Sequence, residues 1–434
     1  MDKMADVLGR AGAWCGQNKY LSAIKNAFQN FMPLTIAGAI GVLWCNVLVN
    51  ETTGLGMFFK PIMALDFLNP AFQAVNFCTI SCITVGITLG IAQEIGVWNM
   101  GAERAGYIPG LVGLAAWLSV TNTSHMVDGA KEAFTGVAGN ELGATGLFTG
   151  MIIGVLSVEL FCFFEKQDAL KIKMPEQVPP GVARAFEVLV PATITLIITA
   201  CIGSACYNLT GLYLNDVIKN GIQGPLGAVG ATIPGVMIIY LVIMLFWLVG
   251  IHGNNMLSAV KEALFTPLAL ENVEKFNKGE KPTNIINMYA LQMWGEFGGS
   301  GVTIGLVIAI MIFGKREDNK AIATLSLVPG LFNINETVTF GIPMVLNPIL
   351  GIPFVFACLV TILVGYVLTV IGFCPVACLT VPWTTPPIVF GFLATGANVM
   401  GAVTQAILIV VSTVIYTPFL IAYEKYQNKQ AAEA

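Results

Sequence analysis

Apolar residues fall along this chain in blocks long enough to cross a bilayer, and short polar stretches punctuate them. A spanning helix needs ~20 mainly apolar residues. On that measure residues 31–50, 74–96, 106–122, 145–165, 186–210, 227–251, 300–314, 341–372 and 401–423 are candidate spans, with 341–372 long for a single crossing. Residues 282–300 and 321–340 are apolar enough for membrane depth but are short or broken by Gly, Pro and Asn. Residues 374–398 hold Pro375, Pro382, Pro386, Pro387, Gly391 and Gly396. Broken backbone survives in a bilayer only where protein or a water-filled cavity surrounds it. In transporters such interrupted segments commonly build the binding site. The pattern predicts an all-α polytopic membrane protein with about ten transmembrane helices and re-entrant hairpins. Residues 164–191 read as a cytoplasmic amphipathic connector, in which Pro175, Pro179 and Pro180 break any continuous helix.

Composition agrees. Of 434 residues, 56% are hydrophobic and 11% charged, against about 25% charged in soluble domains. The mean hydropathy is +0.78. A net charge of -4 makes nucleic acid an unsuitable partner. Cys78, Cys82, Cys201, Cys206, Cys374 and Cys378 lie in apolar runs without C-x-x-C spacing and read as small buried hydrophobes. The two histidines, His125 and His252, cannot build a His-rich metal site. No G-x-x-x-x-G-K-[ST] or H-E-x-x-H motif occurs, so no cofactor or metal is expected. Residues 1–30 mix charges with apolar residues at helical spacing and read as an amphipathic lead-in lying in the interface.

The positive-inside rule sets orientation. Lys166, Lys171, Lys173 and Arg184 cluster in one loop, Lys315, Arg316 and Lys320 in another, and Lys425 and Lys429 follow the last span. All three regions, with both termini, are assigned to the cytoplasm. The 121–143 loop, with Asp128, Glu132 and Glu141 against Lys131, is assigned to the outside.

Polar residues at membrane depth carry the candidate chemistry, because ionisable groups there are expensive and usually face a cavity. Four clusters stand out. FWLVGIHGNNM (246–256) holds His252, Asn254 and Asn255. MYALQMWGEFGGSG (288–301) holds Gln292, Trp294 and Glu296. FNINETVTFG (332–341) holds Asn333, Asn335 and Glu336. VPWTTPPIVFGFLATG (381–396) holds Trp383, Thr384 and Thr385. Carboxylates and amides suit sugar hydroxyls, and an indole suits the C–H face of a pyranose. Plainer alternatives stand beside this reading. Glu336 would also serve as a structural cap at a re-entrant helix N-terminus. His252 would serve as a polar contact between helices, Asn254 and Asn255 as caps of a broken helix, and Trp383 as an interfacial belt residue. GGSGVTIG (298–305) follows no strand, so it reads as close helix packing or close substrate approach rather than a nucleotide loop.

Four stretches together carry a family resemblance: KNAFQNFMPLTIAGA, IKMPEQVPPGVARAF, FWLVGIHGNNM, and FNINETVTFGIPMVLNP followed by VPWTTPP. Their order and spacing resemble the IIC permease component of the bacterial phosphoenolpyruvate:sugar phosphotransferase system, lactose/cellobiose/diacetylchitobiose type, over nearly the whole chain. Two departures are visible. The family's Asn-Glu-Pro reads Asn335-Glu336-Thr337 here, and residues 86–110, with Glu94, Glu103 and Arg104, differ from the common pattern.

The resemblance implies a homodimer in the bacterial inner membrane, in contact with lipid. It implies an N-terminal scaffold and dimerisation half over 1–225, including the connector, and a C-terminal sugar-binding half over 226–434. It implies a β-linked disaccharide as substrate and a separate phosphorylated IIB protein as phosphoryl donor, with IIA, HPr and enzyme I upstream. Phosphate would pass from a IIB cysteine to the sugar 6-hydroxyl, with no phospho-intermediate on this chain. Glu336 and His252 become the catalytic candidates, Glu336 orienting the hydroxyl or taking its proton. The remaining substrate-binding candidates are Asn254, Asn255, Gln292, Trp294, Glu296, Asn333, Asn335, Trp383, Thr384 and Thr385. The basic loops would be IIB docking surfaces or topology signals alone. The rival reading is a proton-coupled symporter of a sugar or organic solute, with Glu336, Glu296 and His252 as its relay. A membrane sugar sensor is a third reading.

Overall fold

The computed structural model describes residues 10, 13, 14, 17–51, 55–125, 133–175, 177–225, 230–342 and 344–433. Much of the lead-in over 1–30 lies outside the described residues, as do Asp128, Lys131 and Glu132 of the acidic loop.

Sixteen principal helices are numbered here in chain order. They are α1 (Lys19–Leu43), α2 (Asn69–Asn76), α3 (Ile83–Met100), α4 (Ile108–Val120), α5 (Ala144–Glu165), α6 (Pro180–Thr210), α7 (Ile233–Leu248) and α8 (Gly253–Met256). After them come α9 (Ser258–Asn277), α10 (Met288–Gly295), α11 (Ile304–Phe313), α12 (Glu317–Leu331), α13 (Glu336–Gly341), α14 (Gly351–Val370), α15 (Val389–Ala394) and α16 (Val399–Glu433). Local chemistry sets many boundaries. Proline stands in the first turn of α4, α6 and α7, where its missing N–H is not needed. Thr232 caps α7 by accepting from the Gly235 amide, and Asn287 caps α10 by accepting from Tyr289 and Ala290.

Among the described residues, five helices are long and apolar enough to cross a membrane: Lys19–Leu48, Ala144–Glu165, Pro180–Thr210, Gly351–Val370 and Val399–Glu433. Lys60–Ser81 and Ile83–Met100, bent by 41°, supply a sixth if read as one broken span. Ile108–Val120, Ile233–Leu248 and Ile304–Phe313 are apolar but shorter. Length and hydropathy thus account for up to six crossings, fewer than the sequence pattern predicts. The long apolar run at 341–372 is not one helix: it holds the end of α13 and, from Gly351, α14, and the described residues between them are non-helical.

Three other expectations are corrected. Among its described residues, the connector between α5 and α6 holds one short 3-10 turn, Asp168–Leu170, and from Pro180 the chain already belongs to α6, with Pro191 inside that helix. Among the described residues, one small antiparallel ribbon, β1 (Ser124–His125) with β2 (Phe134–Thr135), stands beside the helices. Cys78 and Cys201 are exposed on apolar helices, whereas Cys374 and Cys378 are buried.

The chain divides into two compact units. The first joins Gln17–Gly38 to Ala74–Gly227. Its centre is α3, whose Ile83, Ile87, Ile91 and Ile95 recur every fourth residue and are all buried. A Cβ at Gly113 of α4 would collide with Ala92 of α3, the small-residue contact that lets apolar helices approach closely. Glu94 accepts from the Asn26 and Asn30 amides. Arg104 and Arg184 both bond Glu165 and Glu187 at 2.8–3.0 Å, while Glu103 is exposed. The charges at 94 and 104 therefore serve the packing of this unit.

The second unit joins Ala39–Gln73 to Ala228–Ala434. Its core brings together Tyr240, Met244 and Trp247 of α7, Phe265 of α9, Trp294 of α10, Phe354 of α14 and Tyr416 of α16. The N-terminus of α12 is capped from far along the chain. The buried carboxylate of Glu424 accepts from the amides of Lys315 (2.8 Å) and Arg316 (3.3 Å) and from Asn319 Nδ2 (3.2 Å). α12 leads directly into the Asn333–Glu336 stretch.

Candidate functional site

All four polar clusters lie in the second unit, each at a break between helices. At the end of α7 the chain turns through Gly250, at φ 81°, a conformation that glycine adopts without a Cβ penalty. This turn delivers His252 to the N-cap of α8, where its Nδ1 accepts from the Asn255 amide at 3.2 Å. An imidazole whose Nδ1 accepts carries its proton on Nε2. Nε2 faces Glu336 Oε1 at 3.8 Å, with the two side chains 36% and 47% exposed. Glu336 is the first residue of α13, where the helix dipole favours a carboxylate. Trp247 packs its ring against His252 with centroids 4.5 Å apart.

That gap is longer than a hydrogen bond. A hydroxyl oxygen at about 2.8 Å from each atom fits against both, accepting from Nε2–H and donating to the carboxylate. The pair leaves room for one bridging hydroxyl.

Next to it runs a buried polar chain. Glu296, at the end of α10, pairs with Lys261 of α9 and accepts from the Tyr240 hydroxyl at 2.7 Å. Lys261 also donates to Asn254 Oδ1 at 2.9 Å, and Asn254 Nδ2 donates to Ser300 Oγ at 2.9 Å. Both ends of the Asn254 amide are thus engaged, while Asn255 is exposed. Gln292 Oε1, one turn before Glu296, is buried without a hydrogen-bond partner among the described residues.

The other two clusters are tied together by amides. Asn333, at φ 62°, accepts from the Gly298 amide at 2.7 Å and donates Nδ2 to the carbonyls of Trp383 (2.5 Å) and Thr385 (3.0 Å). Asn335, buried, donates to the Ser300 carbonyl at 2.8 Å. Gly299 sits at φ 88°, and a Cβ there would strike the Asn335 side chain. The glycine-rich loop is therefore a close-packing device.

Of the sequence candidates, His252 and Glu336 face one another. Glu296 and Asn254 join the adjoining ion-pair chain. Asn333 and Asn335 spend their amides on loop backbones. Trp383 is exposed and Thr384 and Thr385 are half-buried on the proline loop. Trp294 is enclosed in the core. Lys261 and Tyr240 escape the sequence reading. SAVKEALF looks like an ordinary amphipathic turn, and Tyr240 sits in an uninterrupted apolar run. The available signal was a lone lysine close after an intramembrane break, with Glu296 the carboxylate left to meet it.

Comparison with known proteins finds relatives over nearly the whole chain. A family model described as "Phosphotransferase system, EIIC" matches residues 25–358. The chain is 33% identical to the oligo-beta-mannoside-specific EIIC component of the phosphotransferase system of Bacillus subtilis (strain 168), covering 98% of this chain and 94% of that one. It is 29% identical to the cellobiose-specific EIIC component of Lactococcus lactis subsp. lactis (strain IL1403), covering 98% of both. The crystal structure of the transporter ChbC, the IIC component from the N,N'-diacetylchitobiose-specific phosphotransferase system, superposes with a TM-score of 0.88 at 29% identity, covering 97% of each chain. These relatives lend the symporter reading no support.

Proposed function

The chain belongs to the phosphotransferase system EIIC family, an integral membrane permease component, and from that premise we propose that it carries a β-linked disaccharide, of the cellobiose or diacetylchitobiose kind, and presents its 6-hydroxyl to phosphorylated IIB. The observation that carries this reading is the 3.8 Å approach of His252 Nε2 to Glu336 Oε1, both partly exposed on broken segments. That gap suits one sugar hydroxyl.

The chemistry follows from the pair. The IIB phosphocysteine S–P bond breaks and a P–O bond forms to the sugar O6. The hydroxyl proton passes to Glu336, while His252 Nε2–H holds the oxygen in line. Catalysis of phosphoryl transfer is mostly positioning and electrostatics, and a fixed carboxylate–imidazole pair supplies both. Phosphate resides only on the partner protein and on the sugar. Asn255, Gln292, Glu296, Trp383, Thr384 and Thr385 complete the sugar site. Asn254, Asn333, Asn335 and Trp294 shape it from behind.

About ten crossings are reached if the bent pair and the three shorter apolar helices each cross and re-entrant pieces complete the count. The N-terminal half over 1–225 serves as the dimer scaffold and the half over 226–434 as the transport domain. Both termini and the Lys166–Arg184 and Lys315–Lys320 clusters face the cytoplasm, within reach of IIB, with IIA, HPr and enzyme I upstream.

Sugar binding to the detergent-purified protein, across a disaccharide panel, tests the reading. Wild type is expected to bind a β-linked disaccharide, and Glu336→Gln to abolish phosphorylation by phosphorylated IIB. Full-rate phosphorylation by that variant would remove Glu336 as the proton acceptor. Absence of binding to any sugar by folded wild type would remove the substrate class.

A further inference from the structure

Gln405 of α16 is 1% exposed and joins three segments of the second unit. Its Oε1 accepts from the amides of Ile388 and Gly391, both at 2.7 Å. Its Nε2 donates to the carbonyl of Met293, on α10, at 3.3 Å. The first two amides belong to the start of α15, where Ile388 holds the N-cap position and offers no side-chain acceptor. One distant glutamine oxygen satisfies donors that a local cap would otherwise satisfy.

Ile388 lies at φ 74°. A β-branched residue takes that conformation only where its surroundings impose it. The residue is 45% exposed; its carbonyl is held by the Phe392 amide and its own amide by Gln405, so the bond to Gln405 is one of the contacts that hold it there. The same loop is held at its other end by Asn333, through the carbonyls of Trp383 and Thr385. Residues 383–388 therefore hang between two side-chain amides, the half-buried Asn333 and the buried Gln405. Through Met293, Gln405 also registers this loop against α10, which presents Gln292 and Glu296.

We infer that Gln405 is a positioning residue that sets sugar specificity: it fixes the spacing between the Trp383–Thr385 loop and the Gln292–Glu296 segment, and so the length and linkage of disaccharide admitted. This rests on the sugar-binding reading of the site.

The test uses the full chain in detergent and a disaccharide panel, with wild type, Gln405→Met, and Gln405→Met combined with Ile388→Gly. Gln405→Met keeps the length and removes the acceptor and the donor. It is expected to melt earlier, to weaken binding of the preferred disaccharide about tenfold, as loss of buried hydrogen bonds does, and to change the ranking of the panel. Adding Ile388→Gly recovers the part of the melting temperature lost to backbone strain, since glycine takes positive φ freely, but leaves the ranking altered. If either folded variant ranks the panel as wild type does, with wild-type affinities, the specificity role is overturned and Gln405 is structural only. The double variant decides the matter if the single one does not fold. Wild type that binds no sugar fails the functional reading instead, before any variant is compared.

Discussion

Lys261 and Glu296 form an ion pair in the interior of the second unit, and the Tyr240 hydroxyl donates to the same carboxylate oxygen. A charge at this depth is tolerable only with its partner. Breaking a buried pair from one side leaves an uncompensated charge and costs about 3–5 kcal/mol, whereas replacing both sides is often close to neutral. Lys261→Met alone and Glu296→Gln alone are therefore expected to lower thermal stability in detergent strongly. The double variant recovers most of it. Sugar binding does not return with stability, because Asn254 loses its lysine donor and Glu296 its charge. Single and double variants with equal melting temperatures would show that the pair is not buried as a unit.

Asn333 gives a second prediction, because its backbone and its side chain act separately. At φ 62° it occupies the left-handed region that Asn and Gly tolerate and Ala resists. Its amide makes three bonds to two other loops. Asn333→Gly keeps the backbone and loses the bonds, whereas Asn333→Ala loses both. Leaving such partners unsatisfied costs about 1–3 kcal/mol, so both variants melt earlier, with Ala lower than Gly. Both release the Trp383 loop, and the affinity for the preferred disaccharide falls in each. An Ala variant as stable as the Gly variant would show that the backbone conformation carries no strain.

These residues also show what the sequence makes legible. His252, Glu336 and Trp383 stand out because each is polar or amphipathic in an apolar run that Gly and Pro interrupt, and the bilayer makes such residues costly. The broken segments are legible for the same reason: Pro386 and Pro387 cannot continue a helix. Lys261 is not legible, because what keeps it buried is a carboxylate 35 positions later. Nor does composition tell a ligand amide from a strut. Asn333 and Asn335 look alike in FNINE, and only the folded chain shows them bonded to the backbone of other loops. Crossing number suffers from the same non-locality. A short apolar helix such as α11 buries its first two turns in protein while Met311, Ile312 and Phe313 stay exposed, so its length does not report the membrane thickness.

Thr337 marks the departure from Asn-Glu-Pro, and its position in α13 gives a third prediction. The helix begins at Glu336 with Asn335 as N-cap, so residue 337 lies in the first turn, where its N–H is not required. A proline there is tolerated sterically by the helix but disfavours the helical region at the preceding residue. Thr337→Pro is expected to fold with little loss of stability while moving the helix start to 337 and turning Glu336 relative to His252. The reading predicts an unchanged melting temperature together with a shifted KM for the sugar and an altered ranking of disaccharides. Unchanged kinetics would show that the backbone at Glu336 does not depend on residue 337.

Glu424 gives the last prediction, and it concerns action at a distance. Its carboxylate is 5% exposed and supplies the cap for α12 from the far end of α16. Two backbone amides and the Asn319 side chain depend on it. Glu424→Ala leaves the Lys315 and Arg316 amides without that acceptor, at about 1–3 kcal/mol, while Asn319 keeps its bond to Gln427. Glu424→Gln keeps one acceptor oxygen and is expected to fall between alanine and wild type. α12 runs unbroken into the Phe332–Asn335 turn, so fraying its start loosens the segment that places Glu336 opposite His252. The expected signature is a lower rate of sugar phosphorylation by IIB at saturating sugar, in the order wild type, Gln, Ala, parallel to the melting temperatures. Loss of stability with an unchanged rate would mean that α12 holds Glu336 in place without its cap, through its contacts with α11 and α13 alone.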